Sequence, residues 1–458
     1  MRTRESVTAV IKAYDVRGIV GVELDADFIR ETGAAFARLM RSEGEDTVAI
    51  GHDMRDSSPG LAQAFAEGAI AQGLNVVHIG LASTDGLYFA SGTLNCAGAM
   101  FTASHNPAEY NGIKLCRKGA RPVGQETGLA TIIDDLVNGV PDYDGEKGSL
   151  SEKDLLGAYA AYLNELVDLS DIRPLKVAVD AANGMGGFTV PEVFKGLPLE
   201  IEPLYFELDG SFPNHEANPL EPANLVDLQK FVVETGADIG LAFDGDADRC
   251  FVVDENGDPV SPSAVCAIVA ERYLEQKPGS TVIHNLITSK SVPEVIAENG
   301  GTAVRTRVGH SFIKNEMANH GAVFGGEHSA HYYFTEFFNA DSGILAAMHV
   351  LAALGGQDQP LSEMMAQYNR YAASGELNSR LANAEAQAER TQAVLDAFAD
   401  RTESIDRLDG VTVELTGTPA WFNVRASNTE PLLRLNVEAP SQEEVDALVE
   451  EILGIIRA

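Results

Sequence analysis

Ala97-Gly-Ala-Met-Phe-Thr-Ala-Ser-His-Asn-Pro107 changes character halfway along. Ala97 to Phe101 is an apolar run of the kind that ends a buried strand, and it stops in Thr102-Ala-Ser104-His105-Asn106-Pro107. Pro107 cannot continue a sheet ladder and drives Asn106 out of the helical region. Ser104 is thereby displayed on a tight loop at a strand end, with His105 and Asn106 beside it. Taken alone, the stretch slightly favours the reading of a polar strand-to-loop turn. A second loop, Asp244-Gly-Asp246-Ala-Asp248-Arg249, changes that balance. A displayed serine together with three aspartates suggests phosphoryl transfer through a phosphoserine.

Outward from this stretch, the same pattern recurs. Three times the chain gives apolar strands that end in polar loops, with helical patterns such as Leu61 to Gln72 and Leu225 to Thr235 between them. The first set is Val48–His52, Val76–Gly80 and Gly98–Thr102. The second is Val177–Ala181, Leu199–Phe206 and Ile239–Phe243, and the third is Thr281–Asn285, Ala303–Thr306 and Ala322–Gly325. Such alternation predicts βαβ units and a largely parallel sheet in each set. The third strand of each set leads to the richest polar loop, at Ser104, Asp244 and Glu327 in turn. Ligands of open α/β sheets bind beyond the carboxyl ends of strands. Three similar α/β domains, with mixed and mostly parallel sheets, would thus face one central cleft.

The tail differs. A polar amphipathic helix is predicted over Ala384–Ala399, then strands over Val411–Leu415, Ala420–Arg425 and Leu432–Glu438, then a helix capped by Ser441 and Glu444. This is a small α+β domain carrying the loop Arg425-Ala-Ser427-Asn428-Thr429-Glu430-Pro431. The expected domains are 1–148, 149–255, 256–369 and 370–458.

Length and charge agree with several domains and narrow the partners. A chain of 458 residues exceeds what one core organises. Its 33 Lys and Arg against 68 Asp and Glu leave a net charge of −35, which argues against nucleic acid and anionic membranes. An anionic substrate would therefore need a locally basic pocket. Cys96, Cys116, Cys250 and Cys266 form no CxxC pair, and the N-terminal Met1-Arg-Thr-Arg-Glu-Ser6 lacks an apolar signal core. Both point to a reduced, cytoplasmic protein. The apolar run Ile344–Leu354 is too short to span a bilayer.

Asp244, Asp246 and Asp248 alternate, so in an extended segment their side chains share a face. Oxygen-only donors suit a hard cation, Mg²⁺ above all, although an Asp-rich solvated turn would have the same spacing. An EF-hand is excluded: its sixth position, which needs Gly, is Arg249, and Cys250–Val253 continues as strand.

At this point the chain resembles the α-D-phosphohexomutases. Four of their loops stand here in order: TASHNP at 102–107, DGDADR at 244–249, a GExS-type sugar loop at 326–329 and an RxSNTEP-type phosphate loop at 425–431. Lys12-Ala-Tyr14-Asp-Val-Arg17-Gly18 is similar to the family's opening motif, so the resemblance covers nearly the whole chain. Asn428 is similar to the phosphomannomutase/phosphoglucomutase branch, and Gly326–Phe334 resembles bacterial phosphomannomutases most. His328 and Ala330 depart from the commoner GEMSGH form and leave the sugar open.

The resemblance implies interconversion of hexose 6-phosphate and hexose 1-phosphate, with mannose favoured and glucose also expected. Phosphorylated Ser104 would give its phosphoryl group to the sugar, form a hexose 1,6-bisphosphate, and take back the other phosphate. One Mg²⁺ per chain would be held by Asp244, Asp246, Asp248 and a phosphoserine oxygen. Lys114 is the implied base, with Arg17 and His105 nearby. Glu327 and Ser329 would bind neighbouring sugar hydroxyls. Arg425, Ser427, Asn428 and Thr429 would hold the phosphate that does not react. Lys290 and His310 are further matches, and Tyr14 and Arg249 would border the cleft. Hexose 1,6-bisphosphate is the implied activator, and the implied state is a monomer or homodimer. Two other readings remain: a Mg²⁺-dependent sugar-phosphate phosphatase and a non-catalytic sugar-phosphate binder. The phosphatase needs no second phosphate site, and the binder needs no serine facing a metal.

Overall fold

The computed structural model describes residues 2–427 and 431–458, with the side chain of His310 left undescribed. The chain divides into two compact units: residues through Val260 with Ser329–Met364, and Ser261–His328 with Met365–Ala458.

The first unit holds two sheets. In one, Ala97–Phe101, Thr47–His52, Asn75–Leu81 and Leu150–Glu152 run parallel in that spatial order. Tyr110–Arg117 pairs antiparallel with Ala97–Phe101, and Val16–Ile19 pairs antiparallel with Tyr110–Arg117. The serine loop thus connects two adjacent antiparallel strands. Its two ends are fixed by a ladder in which Met100 faces Lys114 and Phe101 faces Ile113. Every residue of Ala97–Phe101 is buried, as a strand covered on both faces requires. Phe36, Phe65 and Phe101 pack together between this sheet and the helices Ala26–Ser42 and Ser58–Ala71.

In the other sheet, Leu199–Leu204, Leu175–Asp180 and Ile239–Phe243 are parallel, and Cys250–Asp254 returns antiparallel to Ile239–Phe243. The aspartate loop is therefore also the connection between a buried parallel strand and its antiparallel neighbour. The short hairpin Tyr332–Phe334/Ala340–Asp341 and the buried helix Gly343–Gly355 belong to this unit as well.

The second unit contains Thr302–Thr306, Thr281–Asn285 and Phe324–Gly326 as parallel neighbours. It also contains an antiparallel sheet in the order Ala372–Arg380, Leu432–Ala439, Trp421–Ala426, Val411–Leu415, Thr402–Asp406. The helices Ala384–Phe398 and Gln442–Ile456 close over its apolar face. This tail sheet has five strands among the described residues where the sequence predicted three. Both additions are edge strands with poor alternation: Ala372–Arg380 carries Gly375 and a register shift, and Thr402–Asp406 is nearly all exposed. No helix among the described residues is long and apolar enough to cross a membrane.

Candidate active site

Ser104 sits at φ +49°, in the left-handed region that non-glycine residues seldom occupy. The Thr102 hydroxyl accepts its backbone N–H at 2.9 Å, and the Asn106 N–H closes a turn onto the Ala103 carbonyl. The result is a serine whose Oγ points away from its own strand. That hydroxyl donates to Asp244 Oδ2 at 2.8 Å, so the serine and aspartate loops meet within one unit. Gly245 is what permits the approach: a Cβ there would lie 2.4 Å from the Ser104 carbonyl oxygen.

The three aspartates converge, but through a turn and not through the extended segment that their alternation predicted. The Ala247 N–H bonds to the Asp244 carbonyl at 3.0 Å, and Ala247 adopts φ +60°. The turn brings one carboxylate oxygen from each of Asp244, Asp246 and Asp248 within 4.8 Å of one another, all three residues buried. Asp246 Oδ1 and Asp248 Oδ1 are buried without a hydrogen-bond partner among the described residues. Orphaned buried carboxylate oxygens are costly, and an oxygen-only set around a common centre is what Mg²⁺ accepts. The residues present therefore fit a hard divalent cation. Burial, followed by the charges of Asp248 and Asp246, pushes the Asp244 carboxyl well above the ordinary range. That repulsion is what a cation would remove.

Cations of the protein already ring this cluster. Lys114, half-way along Tyr110–Arg117, reaches Asp246 Oδ2 at 2.7 Å and Asp248 Oδ2 at 2.5 Å. Burial would lower the pKa of Lys114, but the two carboxylates outweigh it and raise it above the lysine range. In this arrangement Lys114 is a counter-charge and has no lone pair to offer a sugar hydroxyl. Burial would conversely raise Asp246, yet the Lys114 charge and hydrogen bonds from Lys114 and Thr84 hold it below the usual range. Arg249 donates to His105 Nδ1 at 2.8 Å, which leaves the His105 proton on Nε2. Its positive charge, then burial, keep His105 well below the ordinary histidine range and hence neutral. His105 Nδ1 also lies 3.3 Å from Ser104 Oγ. Arg17 donates to Asn106 Oδ1 at 2.6 Å and to the Ala103 carbonyl, and Tyr14 is half-buried on the segment just before it. These groups supply the local positive field that a chain of net charge −35 needs for an anionic substrate.

Three groups at this site were not foreseen. Arg55 lies beneath the serine loop, Thr84 donates to Asp246 Oδ2, and His331 stands 2.9 Å from Asp341 Oδ2 and 3.8 Å from Asp248 Oδ1. His331 had a signal, since it belongs to the quoted Gly326–Phe334 motif. Ser329, of the same motif, is half-buried in this unit.

The remaining expected residues lie in the second unit. Glu327 is buried, and its Oε1 accepts from Asn285 Nδ2 at 3.3 Å and from the Gly309 N–H at 3.0 Å. Lys290 is half-exposed, its Nζ 3.7 Å from Glu414 Oε1. Arg425 is buried and donates to Glu376 Oε2 at 3.2 Å, with Asp409 at 4.0 Å. Arg434 stands directly opposite Arg425 in the ladder and pairs with the same Glu376 at 3.2 Å. Like charges in register repel, and Glu376 is the anion that separates them. Arg434 also reaches Ser427 Oγ at 3.5 Å. Asn428, Thr429 and the His310 side chain lie outside what the structure describes.

Comparison with known proteins matches one family along nearly the whole chain. The descriptions of phosphoglucomutase/phosphomannomutase α/β/α domains I, II and III match residues 8–139, 157–257 and 261–371, and the C-terminal domain of that family matches 376–455. The chain belongs to the phosphoglucomutase/phosphomannomutase family. A phosphomannomutase of Salmonella montevideo is 37% identical over 98% of both chains. A phosphoglucomutase of Neisseria gonorrhoeae is 36% identical over 98% of this chain and 97% of its own. The crystal structure of a phosphoglucomutase/phosphomannomutase family protein from Burkholderia thailandensis superposes with a TM-score of 0.89 at 30% identity, over 100% of this chain and 98% of that one. The fold of this phosphoglucomutase/phosphomannomutase family member is thus three α/β domains with mixed, mostly parallel sheets and a C-terminal α+β domain. The chain is a phosphohexomutase, an isomerase.

Proposed function

We propose that the chain interconverts mannose 6-phosphate and mannose 1-phosphate, and the corresponding glucose phosphates, through phosphorylated Ser104. The observation that carries this is the Ser104 hydroxyl lying 2.8 Å from the first of three converging, buried aspartates. The relatives named phosphomannomutase and phosphoglucomutase support both sugars.

In the first half-reaction the bond between phosphorus and Ser104 Oγ breaks while the sugar hydroxyl forms a new one. The hydroxyl proton goes to Lys114, which becomes a base by releasing its own proton to solvent once Asp246 and Asp248 have turned to other partners, and Lys114 passes that proton on to the departing Ser104 Oγ. The product is a hexose 1,6-bisphosphate. In the second half-reaction its other phosphate returns to Ser104 Oγ, and the proton returns to the sugar oxygen. Phosphoryl transfer asks the protein mainly for position and charge compensation. Arg17, neutral His105 and Arg249 provide both beside Ser104. Asp244, Asp246, Asp248 and a phosphoserine oxygen would hold one Mg²⁺ per chain, which would polarise the phosphoryl group. Glu327 and Ser329 take neighbouring sugar hydroxyls, with Lys290, His310 and Tyr14 as further contacts. Arg425, Ser427, Asn428 and Thr429 take the distal phosphate, and hexose 1,6-bisphosphate restores a dephosphorylated serine.

A coupled assay started from mannose 1-phosphate separates the three readings. Appearance of mannose 6-phosphate supports the mutase, free phosphate alone supports a phosphatase, and neither supports a binder. Repeating it with glucose 1-phosphate sets the sugar preference.

A further inference from the structure

Arg55 is the largest group near the site that the reaction scheme leaves unused. It follows the strand Thr47–His52 and precedes the helix Ser58–Ala71. Its side chain is 2% exposed. A buried guanidinium is costly unless its donors are met. Here Nη1 and Nη2 are met by one loop, while Nε, without a hydrogen bond among the described residues, lies 3.4 Å from Asp53 Oδ2. Nη2 donates to the carbonyls of Ser104 at 3.0 Å and Asn106 at 2.7 Å. Nη1 donates to those of Pro107 at 2.8 Å and Tyr110 at 3.0 Å. The Ala103 carbonyl is taken by Arg17. Two arginines thus fix five carbonyls along the segment 103–110.

The base of Arg55 is fixed in turn. Asp53 Oδ1 accepts the Arg55 backbone N–H at 3.0 Å and the Ser58 hydroxyl at 2.6 Å, while the Asp53 N–H bonds to the Phe101 carbonyl. Phe212 lies over the guanidinium, 5.0 Å from its ring centroid, and a Cβ at Gly210 would come within 2.7 Å of Arg55 Cα. The guanidinium is closed in on the side away from the loop. On the loop side the Ser104 carbonyl lies between Arg55 and Gly245. A left-handed serine is strained, and such strain persists only where the surroundings over-determine it.

We propose that Arg55 is a positioning residue of the phosphoryl transfer. Resting on the phosphoserine reading above, it holds the Ser104 carbonyl, and with it the strained φ, so that Oγ stays aimed at Asp244. A planar fork with donors at fixed angles does this across four carbonyls, and an ammonium does not. A displacement of about 1 Å at a reacting atom costs on the order of 100-fold in rate.

The test is Arg55→Lys in the full chain, fully phosphorylated beforehand and mixed with mannose 6-phosphate in a single turnover. Expected are a loss of about 100-fold in phosphoryl transfer, an unchanged Kd for the sugar phosphate, and partial recovery in Arg55→Gly on adding guanidinium. A transfer rate within about twofold of the parent overturns the proposal, and so does a loss that guanidinium does not relieve. Should Arg55→Lys fail to fold, Phe212→Leu decides: a threefold or greater loss in transfer rate at unchanged Kd supports the role, and an unchanged rate overturns it. Failure of the phosphoserine reading itself would show separately, as a parent enzyme that carries no phosphate on Ser104.

Discussion

The two units treat their charged groups differently. Around Ser104 in the first unit, opposite charges are already assembled: Asp244 faces the serine, Lys114 bridges Asp246 and Asp248, and Arg249 faces His105. Lys114 comes from a strand of one sheet, the aspartates and Arg249 from a loop of the other, and together they make one buried cluster. In the second unit the groups proposed for recognition are engaged with acids or amides of their own unit: Arg425 with Glu376, Lys290 near Glu414, Glu327 with Asn285 and the Gly309 N–H. On the proposed roles, the chemistry is organised before substrate arrives, while recognition proceeds by exchange of partners. A preorganised reacting centre costs little reorganisation during the reaction. Exchangeable recognition groups would suit the proposed cycle, in which a bisphosphate intermediate binds in two opposite orientations.

The comparison breaks most sharply at Ser104. Ser104→Ala should lower mutase turnover by roughly four orders of magnitude or more with the melting temperature nearly unchanged. Intact mass should lose the phosphoryl adduct, and an undiminished adduct would remove Ser104 from the mechanism. Next comes the metal. Asp246→Asn removes the carboxylate that anchors both Lys114 and Thr84. It should cut turnover at least about 100-fold and weaken Mg²⁺ binding measured by calorimetry. EDTA-treated parent enzyme should be inactive and recover with Mg²⁺, and full activity without metal would refute the triad's role.

The second unit should respond in binding. Arg425→Ala would remove the proposed charge-assisted phosphate contact, worth roughly 1.5–3 kcal/mol, so KM for the sugar phosphate should rise tenfold or more. The phosphorylation level of Ser104 should hold. A KM equal to the parent's would mean that the two units do not divide the work as described.

The smallest expected effect is on stability. Burial pushes the Asp85 carboxyl up to about 6, against the Ser342, Ser83 and Tyr159 hydroxyls that favour its charged form. In the unfolded chain an aspartate titrates at roughly 4. Between these values the folded chain holds a proton that the unfolded chain has released, so this group's contribution to stability falls as pH rises from about 4 to about 6. Asp85→Asn should flatten that arm of a melting-temperature profile by a few degrees. An unaltered slope would place the titration elsewhere.

What could be read in the sequence were features carried by local pattern. The run from Ala97 to Pro107, and the run from Ile239 to Arg249, each show an apolar strand turning into a polar loop within a few residues. Patterns of that kind locate Ser104 and the aspartates without a fold. The geometry inside the loops was not legible. Spacing alone made Asp244–Asp248 extended, whereas the left-handed Ala247, its N–H bonded to the Asp244 carbonyl, folds it into a turn. Lys114 was named as the base through the family resemblance alone, and its pairing with Asp246 and Asp248 was hidden because they stand more than 130 positions further on. Arg55 in His52-Asp-Met-Arg-Asp56 has the look of a surface residue. Only the return of Ser104–Tyr110 past it makes it a buried fork. The edge strands of the tail were missed because exposed strands lack the alternation that betrays buried ones.

The central claim is that the phosphate on Ser104 is consumed and returned in every cycle. It is tested by stripping that phosphate from the enzyme, confirming the loss by intact mass, and assaying with mannose 1-phosphate with and without a hexose 1,6-bisphosphate. The cycle predicts that stripped enzyme is silent alone and regains full turnover, after a lag, when the bisphosphate rephosphorylates Ser104. Full activity of the stripped enzyme, with no lag and no bisphosphate, would contradict it.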